Sequence, residues 1–425
     1  MTSLVNNSNL NSALINTINA SESKYNPNVY NTKRIMPAAA VTYVRTDKSS
    51  GTVAPNQTIT FDLMKYGICQ QINLVYDKTT SAGNIAFSTA GYDFFNVVDR
   101  IELLSSSKVI DTLTRYDLLA MWSNLDQSQF NIVNKSAIAA RDGTVSTNQL
   151  FRHKFVIPLR FGLFSDINTN LNLQFNEPMS IRIRWGPTFA AGTSAAIIDE
   201  ESVQLSVRYK AYNEADFSEI LAQNYNEPEL NQLSTGFYDE NIVSQTLTQV
   251  AGAAVDSTVR MNLNDKGARV ELKNTDCVND FYVMVIRNGV PSSLTGELHQ
   301  PVKINRVRMT ASGQELFDLE DTELFFSKLC MNGFSTLPDN TSDIYNIVKI
   351  QSGLWEYAGG GTQSNTVSLR ELNNPIIEVW FEDRIQNSDA AATKTVEYDV
   401  VVCEDAVKIY STTSATGRLQ TALTN

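Results

Sequence analysis

Residues 58–67 read Thr58-Ile59-Thr60-Phe61-Asp62-Leu63-Met64-Lys65-Tyr66-Gly67, and residues 258–267 read Thr258-Val259-Arg260-Met261-Asn262-Leu263-Asn264-Asp265-Lys266-Gly267. Thr, Leu and Gly recur at the same places, with Ile/Val and Phe/Met exchanged. Three more matches follow in the same order. Val98-Asp99-Arg100-Ile101 pairs with Ile304-Asn305-Arg306-Val307, and Asn176-Glu177-Pro178 with Asn373-Asn374-Pro375. Val203-Gln204-Leu205-Ser206-Val207 pairs with Val396-Glu397-Tyr398-Asp399-Val400. The offsets are 200, 206, 197 and 193 residues, each near half of the 425-residue chain. Collinear matches with drifting offsets describe one fold built twice, with loops of changing length. The period lies far beyond the roughly 20–50 residues of solenoid repeats.

Each repeated stretch is also a strand. Ile59, Phe61 and Leu63 alternate with Thr and Asp, and Val259, Met261 and Leu263 alternate with Arg and Asn. Ile181 to Trp185, Val203 to Tyr209 and Val396 to Val400 alternate too. A period of two puts one face on a core and the other in solvent, the pattern of antiparallel rather than buried parallel sheets. Polar and Gly/Pro clusters between such runs predict a sandwich or barrel. Each half is long enough to hold its own core.

Between strands, Thr114-Arg115-Tyr116-Asp117 opens a helix with a capping-box-like pattern, and Leu118, Leu119, Trp122 and Leu125 line its apolar face. The second copy predicts a helix at the equivalent place. Asp321 and Glu323 lie in its first turn, Lys328 in its last, and Leu324, Phe325 and Leu329 on its apolar face. The domain reading is an N-terminal arm over 1–38 with a short amphipathic helix through Leu10, Leu14, Ile15 and Ile18, and a first β-unit over 39–212. A helical linker over 213–235 carries Ile220, Leu221 and Tyr225. A second β-unit over 236–411 and a polar C-terminal tail over 412–425 complete the chain.

The composition excludes more than it selects. A net charge of −12 argues against broad contact with nucleic acid, which needs Lys and Arg to displace counterions. Both tails are mildly basic on an acidic body. Four cysteines, Cys69, Cys277, Cys330 and Cys403, lie far apart without CxxC spacing, as small apolar residues in a reducing cell do. No cationic head precedes an apolar run at Met1, and no window approaches a membrane span.

No catalytic constellation is present either. His153 and His299 are the two histidines, one in each half, and neither has a second His or a Cys at metal-ligand spacing. No nucleophile elbow or Walker A loop occurs, and Gly359-Gly360-Gly361 lacks the Lys-Ser/Thr that a phosphate loop needs. Asp199-Glu200-Glu201 and Glu320-Asp321 have no EF-hand spacing and read as a solvated turn and a helix start. Catalytic, cofactor-binding and metal residues are therefore all expected to be none, and the chain is read as a non-enzyme.

The segment Val98-Asp99-Arg100-Ile101-Glu102-Leu103-Leu104-Ser105-Ser106-Ser107-Lys108-Val109-Ile110-Asp111, followed by Thr114–Trp122, resembles the first-barrel signature of double jelly-roll major capsid proteins. In that family a strand ending "IE" leads through a small-residue turn, often glycines, to a short "xID" strand and a helix ending near Trp; here serines occupy 105–107. Phe155-Val156-Ile157-Pro158-Leu159-Arg160-Phe161, then Leu171 to Trp185, resembles the next signature. Arg306 to Phe317, with Gly313-Gln314-Glu315-Leu316-Phe317, is similar to the family's second-copy turn.

The resemblance covers about residues 40–410. It implies an all-β fold of two tandem eight-stranded antiparallel jelly rolls with short helices in loops. It also implies a viral major capsid protein of the lineage of tailless phages, adenovirus and large DNA viruses. Such a chain forms a homotrimer, a pseudo-hexagonal capsomer that tiles an icosahedral shell in the virion, assembled in the host cytoplasm or nucleus. Its partners would be neighbouring capsomers, minor capsid or penton proteins, and an internal membrane or other internal component beneath the termini. Two other classes stay open on the residues alone. One is a two-domain β-sandwich receptor- or glycan-binding protein such as a spike. The other is a β-sandwich hydrolase or bicupin-like enzyme, which two histidines in separate halves disfavour.

Overall fold

The computed structural model describes residues 40–80, 97–123, 151–161, 171–172, 177–187, 189, 196–211, 229–249, 258–262, 267–273, 277–289, 294–295, 302–320, 324, 347–351, 367–369, 372–387, 394–413 and 418–423. The first half contributes β1 (Ala40–Asp47), β2 (Ser50–Gly51), β3 (Thr58–Asp62), β4 (Ile68–Thr80), β5 (Val98–Ser105) and β6 (Lys108–Thr114). It continues with helix α1 (Arg115–Ser123), β7 (Phe151–Pro158), β8 (Leu171–Asn172), β9 (Met179–Trp185), β10 (Ala196–Ile198) and β11 (Gln204–Ala211). The second half contributes β12 (Glu229–Gln249), β13 (Thr258–Asn262), β14 (Ala268–Glu271), β15 (Cys277–Gly289), β16 (Leu294–Thr295) and β17 (Lys303–Ala311). Then come β18 (Gln314–Glu320), β19 (Val348–Gln351), β20 (Val367–Ser368), β21 (Ile376–Asn387), β22 (Lys394–Thr413) and β23 (Arg418–Leu423).

Among the described residues every strand pairing is antiparallel, and the strands form four sheets. Sheet A runs β1-β11-β4 with β7 also on β4; sheet B runs β3-β9-β5-β6. Sheet C runs β12-β22-β15-β19; sheet D runs β13-β21-β17-β18. Numbering the eight principal strands of each half from 1 to 8, both halves read 1-8-3-6 over 2-7-4-5. This is the jelly-roll order of two interlocked Greek keys. We call the halves roll 1 and roll 2.

The duplication extends to irregularities. β5 slips register against β9 between Val98 and Arg100, and against β6 between Leu103 and Leu104. β17 slips against β21 between Ile304 and Arg306, and against β18 between Met309 and Thr310. Each second-copy slip lies 206 residues after its first-copy counterpart. The turns that follow are also alike: Ser106 has φ 53° and Ser312 φ 54°. The Ser106 amide donates to the Pro178 carbonyl and the Ser312 amide to the Asn373 carbonyl, each at 2.7 Å. A bulge leaves one residue out of the ladder and re-aims its neighbours, so its survival at one offset ties both copies to one backbone.

The cores follow the alternation. Ile59, Phe61, Ile181, Ile183, Trp185, Val203, Leu205, Val207 and Tyr209 are buried in roll 1, while Val396, Tyr398 and Val400 are buried in roll 2. On the outer face of sheet B, the cross-strand pair Glu102 and Arg182 forms an ion pair. Its second-copy counterpart is Arg308 with Glu378, the same pair with signs exchanged. The exchange preserves the pairing geometry while reversing the signs.

Two segment limits need correction. Residues 229–235, placed by sequence in the helical linker, lie in β12, paired residue by residue with the end of β22. The chain after Pro228 satisfies its backbone groups across the ladder instead of along a helix. The polar tail expected over 412–425 begins inside a strand and carries another. Thr412 and Thr413 end β22, and β23 folds back on Lys408–Thr413 as a hairpin. The arm over 1–38 and the linker's Ile220, Leu221 and Tyr225 lie outside the described residues.

Gly51 shows how tightly the sheet edge is specified. Its φ is +93°, and a Cβ there would sit 2.1 Å from the Thr58 carbonyl oxygen. Gly51→Ala should therefore cost about 1–3 kcal/mol in urea unfolding, since both the conformation and the clash must be relieved.

Candidate functional site

A mixed polar and apolar contact lies between the two rolls, and sheet C makes one side of it. Phe281, Val283, Val285, Val400 and Val402 belong to the core of roll 2. The residues between them, Tyr282, Met284, Ile286, Val401 and Cys403, join the core of roll 1. Sheet C is thus buried on both faces. Its partner surface includes α1, which contacts β12 and β22, and β6, which contacts β23.

The position of α1 follows from its first turn. Thr114 Oγ1 accepts from the amides of Tyr116 (3.2 Å) and Asp117 (3.3 Å), while Asp117 Oδ2 accepts from the Thr114 amide at 2.9 Å. This is the reciprocal capping box that the sequence pattern expects, with Asp in place of Glu. It aims Tyr116 across the gap, where its hydroxyl donates to Asp399 Oδ2 of β22 at 3.0 Å. Farther along the same face, Lys349 Nζ pairs with Asp280 Oδ2 at 3.0 Å and lies 5.6 Å from the centre of the Tyr282 ring.

Burial, then the Asp399 carboxylate, pushes the Tyr116 phenol well above its ordinary range. Burial, then Asp405 and Asp280, does the same for Tyr282. In the unfolded chain these phenols ionise near pH 10. Above that pH the unfolded state holds fewer protons than the folded one, so stability falls as pH rises. The contribution is complete below about pH 10 and lost above it. Urea midpoints followed from pH 8 to 11 should drop at the alkaline end, and Tyr116→Phe should make that drop shallower.

This face is suited to holding two folded bodies in one orientation. Among the described residues no group of three or more His, Cys, Asp or Glu is placed to hold a metal ion. Cys69 and Cys403 are buried and form no disulfide. His153 lies on β7 opposite Lys78, and His299 and Gly359-Gly360-Gly361 lie outside the described residues. Asp199-Glu200-Glu201 forms a tight turn in which Asp199 Oδ1 accepts from the Glu201 amide and Glu200 pairs with Lys48. Glu320 ends β18, and Leu324 is helical and buried in the core of roll 2. Among the described residues no helix is long and apolar enough to cross a membrane.

Solved structures with the same architecture cover nearly the whole chain. The PBCV-1 VP54 structure fitted into a reconstruction of the virophage Sputnik matches with a TM-score of 0.59 at 11% identity. It covers 93% of this chain and 99% of that one. The chain has a double jelly-roll fold. The Faustovirus major capsid protein matches at a TM-score of 0.52 and 10% identity, covering 90% and 91% of the two chains. The mavirus major capsid protein matches at 0.51 and 10%, covering 93% and 94%. No family model and no curated protein matches the sequence. The double jelly-roll is therefore carried by backbone arrangement at an identity too low for side-chain correspondence.

The interface residues themselves were missed in the sequence. Their signal was present: Phe281-Tyr282-Val283-Met284-Val285-Ile286 and Val400-Val401-Val402-Cys403 are continuous apolar runs, whereas the first-copy strand Val203 to Tyr209 alternates. A continuous run in an otherwise alternating protein marks a strand buried on both faces.

Proposed function

We propose that the chain is a viral major capsid protein, working in the virion as a shell building block rather than as an enzyme. The observation that carries the reading is the double jelly-roll spanning nearly all of this chain and nearly all of three capsid chains. Three chains supply six similar rolls around one axis, a pseudo-hexagonal trimer that tiles an icosahedral shell beside neighbouring capsomers and minor capsid proteins. A rigid roll-to-roll contact suits that task, because angular error within a subunit accumulates across a lattice. The function is assembly, and it requires repeated contacts of closed symmetry.

Light scattering with negative-stain imaging of the same peak tests the reading. The 47.2 kDa chain should give a compact particle of about 140 kDa with a six-lobed outline, three copies closed by cyclic symmetry. A monodisperse monomer at all concentrations would sink it and favour a monomeric binding protein. The mildly basic, weakly charged arm is assigned to contacts beneath the shell. Deleting residues 1–35 should then spare the trimer and impair shell assembly, read by particle yield in a reconstitution. Loss of the trimer itself would assign the arm to the trimer contact instead.

A further inference from the structure

The outer face of sheet B carries a row of charges that can be followed from one side chain to the next. Asp99, at the register slip of β5, pairs with Arg115 Nη2 at 2.7 Å and with Arg184 Nε at 3.7 Å. Glu102 pairs with Arg100 Nε at 3.1 Å and with Arg182. Arg184 and Arg100 are direct cross-strand partners on β9 and β5. The row therefore runs Arg115, Asp99, Arg184, Arg100, Glu102, Arg182. Its signs alternate except at the centre, where two guanidiniums meet and, among the described residues, no carboxylate stands between them. Like charges directly opposite each other in a ladder are destabilising. Both side chains are open to solvent, Arg184 at 50% and Arg100 at 43% exposure.

Roll 2 closes the same place differently. The counterparts of Arg100 and Arg184 are Arg306 and Trp380, again direct cross-strand partners. The Arg306 guanidinium lies 4.8 Å from the centre of the Trp380 ring, and that of Arg308 lies 5.5 Å from it. Arg306 also pairs with Asp318 and, at 3.7 Å, with Glu320. The counterpart of Asp99 is Asn305, so the acid is missing where the second arginine is missing. The ladder is thus complete when a cation lies over an aromatic face. Roll 1 keeps a pair of like charges that the fold itself does not require.

We propose that the outer face of sheet B docks an acidic segment of a partner protein, one carboxylate of which enters between Arg100 and Arg184 and completes the alternation. Two neighbouring guanidiniums offer planar donor edges to the two oxygens of a single carboxylate, and such charge-assisted bonds are the strong ones. The size of the surplus selects a peptide over a nucleic acid. Four arginines face two acids in the row, on a chain whose net charge is −12. That surplus matches one or two carboxylates, whereas a run of phosphates needs many cations to displace its counterions. The inference stands on this charge row and is independent of the capsid reading.

Fluorescence anisotropy of a labelled hexaglutamate peptide with the full chain at low salt tests the site. The peptide should bind, and added salt should weaken it. Arg184→Ala should reduce the affinity about tenfold, the scale of one charge-assisted contact. Arg269→Ala, an exposed arginine on sheet D that pairs with Glu378 at 3.6 Å, should leave it unchanged. Phenylglyoxal modification of the unsubstituted chain, read residue by residue by mass spectrometry, depends on no variant folding. The peptide should protect Arg100 and Arg184 and leave Arg269 reactive. No binding, equal affinity in the Arg184→Ala chain, or no protection of Arg184 would overturn the site. Tighter binding of inorganic phosphate or of a short single-stranded DNA at the same arginines would overturn the acidic segment as its partner.

Discussion

Val401→Asp should lower stability by about 3–5 kcal/mol, the cost of a buried carboxylate with no cation to meet it. Val401 has no exposed surface and stands opposite Met284 on the face of sheet C that enters the core of roll 1. A carboxylate there is stripped of water by both rolls at once. The same strand position in roll 1 is Arg208, where a charge is accommodated because that face has no second roll of its own chain over it. The comparison supplies the control. Arg208→Val should cost no more than about 1 kcal/mol, the loss of a half-exposed cation–π contact with Tyr43. Urea unfolding of both variants measures the difference. A cost below about 1 kcal/mol for Val401→Asp, within the range of ordinary single substitutions, would show that the two rolls do not exclude water between them.

That pair of positions also marks the limit of what the sequence made legible. The duplication was readable because strand cores repeat their side-chain period and their turns: Ile59 with Val259, Arg100 with Arg306, Val203 with Val396. The helix start at Thr114 was readable because a capping box is a local device with a fixed spacing. The roll-to-roll contact was not read, although Val400-Val401-Val402-Cys403 departs from alternation. An apolar residue on an outward face looks like a core residue until the register assigns it to one side. The end of the linker was misread for a related reason. Pro228 marks where one regime stops, but pairing with β22, 172–184 positions away for residues 229–235, decides that the next residues extend as strand. Tyr116 with Asp399 is likewise invisible in one dimension, being a contact between partners separated by 283 positions.

Trp185→Ala should cost about 3–5 kcal/mol, as truncation of a large buried aromatic does. Trp185 is fully buried at the end of β9, with Tyr76 and Phe189 meeting its ring edge-on at centroid distances of 6.0 and 5.7 Å. Roll 2 fills the equivalent place with Phe381, whose ring lies 5.0 Å from that of Tyr398. The family of contacts is therefore aromatic in both copies, with different ring sizes, and Trp185→Phe should cost less than about 1.5 kcal/mol because most of the volume is kept. The more informative result concerns cooperativity. Sheet C lends one face to each core, so a defect in roll 1 removes support from roll 2. Trp185→Ala and Phe381→Ala should each move one common transition, seen together by near-ultraviolet and far-ultraviolet circular dichroism. Two separated transitions, with Trp185→Ala shifting one and Phe381→Ala the other, would mean that the rolls unfold as independent units and that the shared sheet transmits no stability between them.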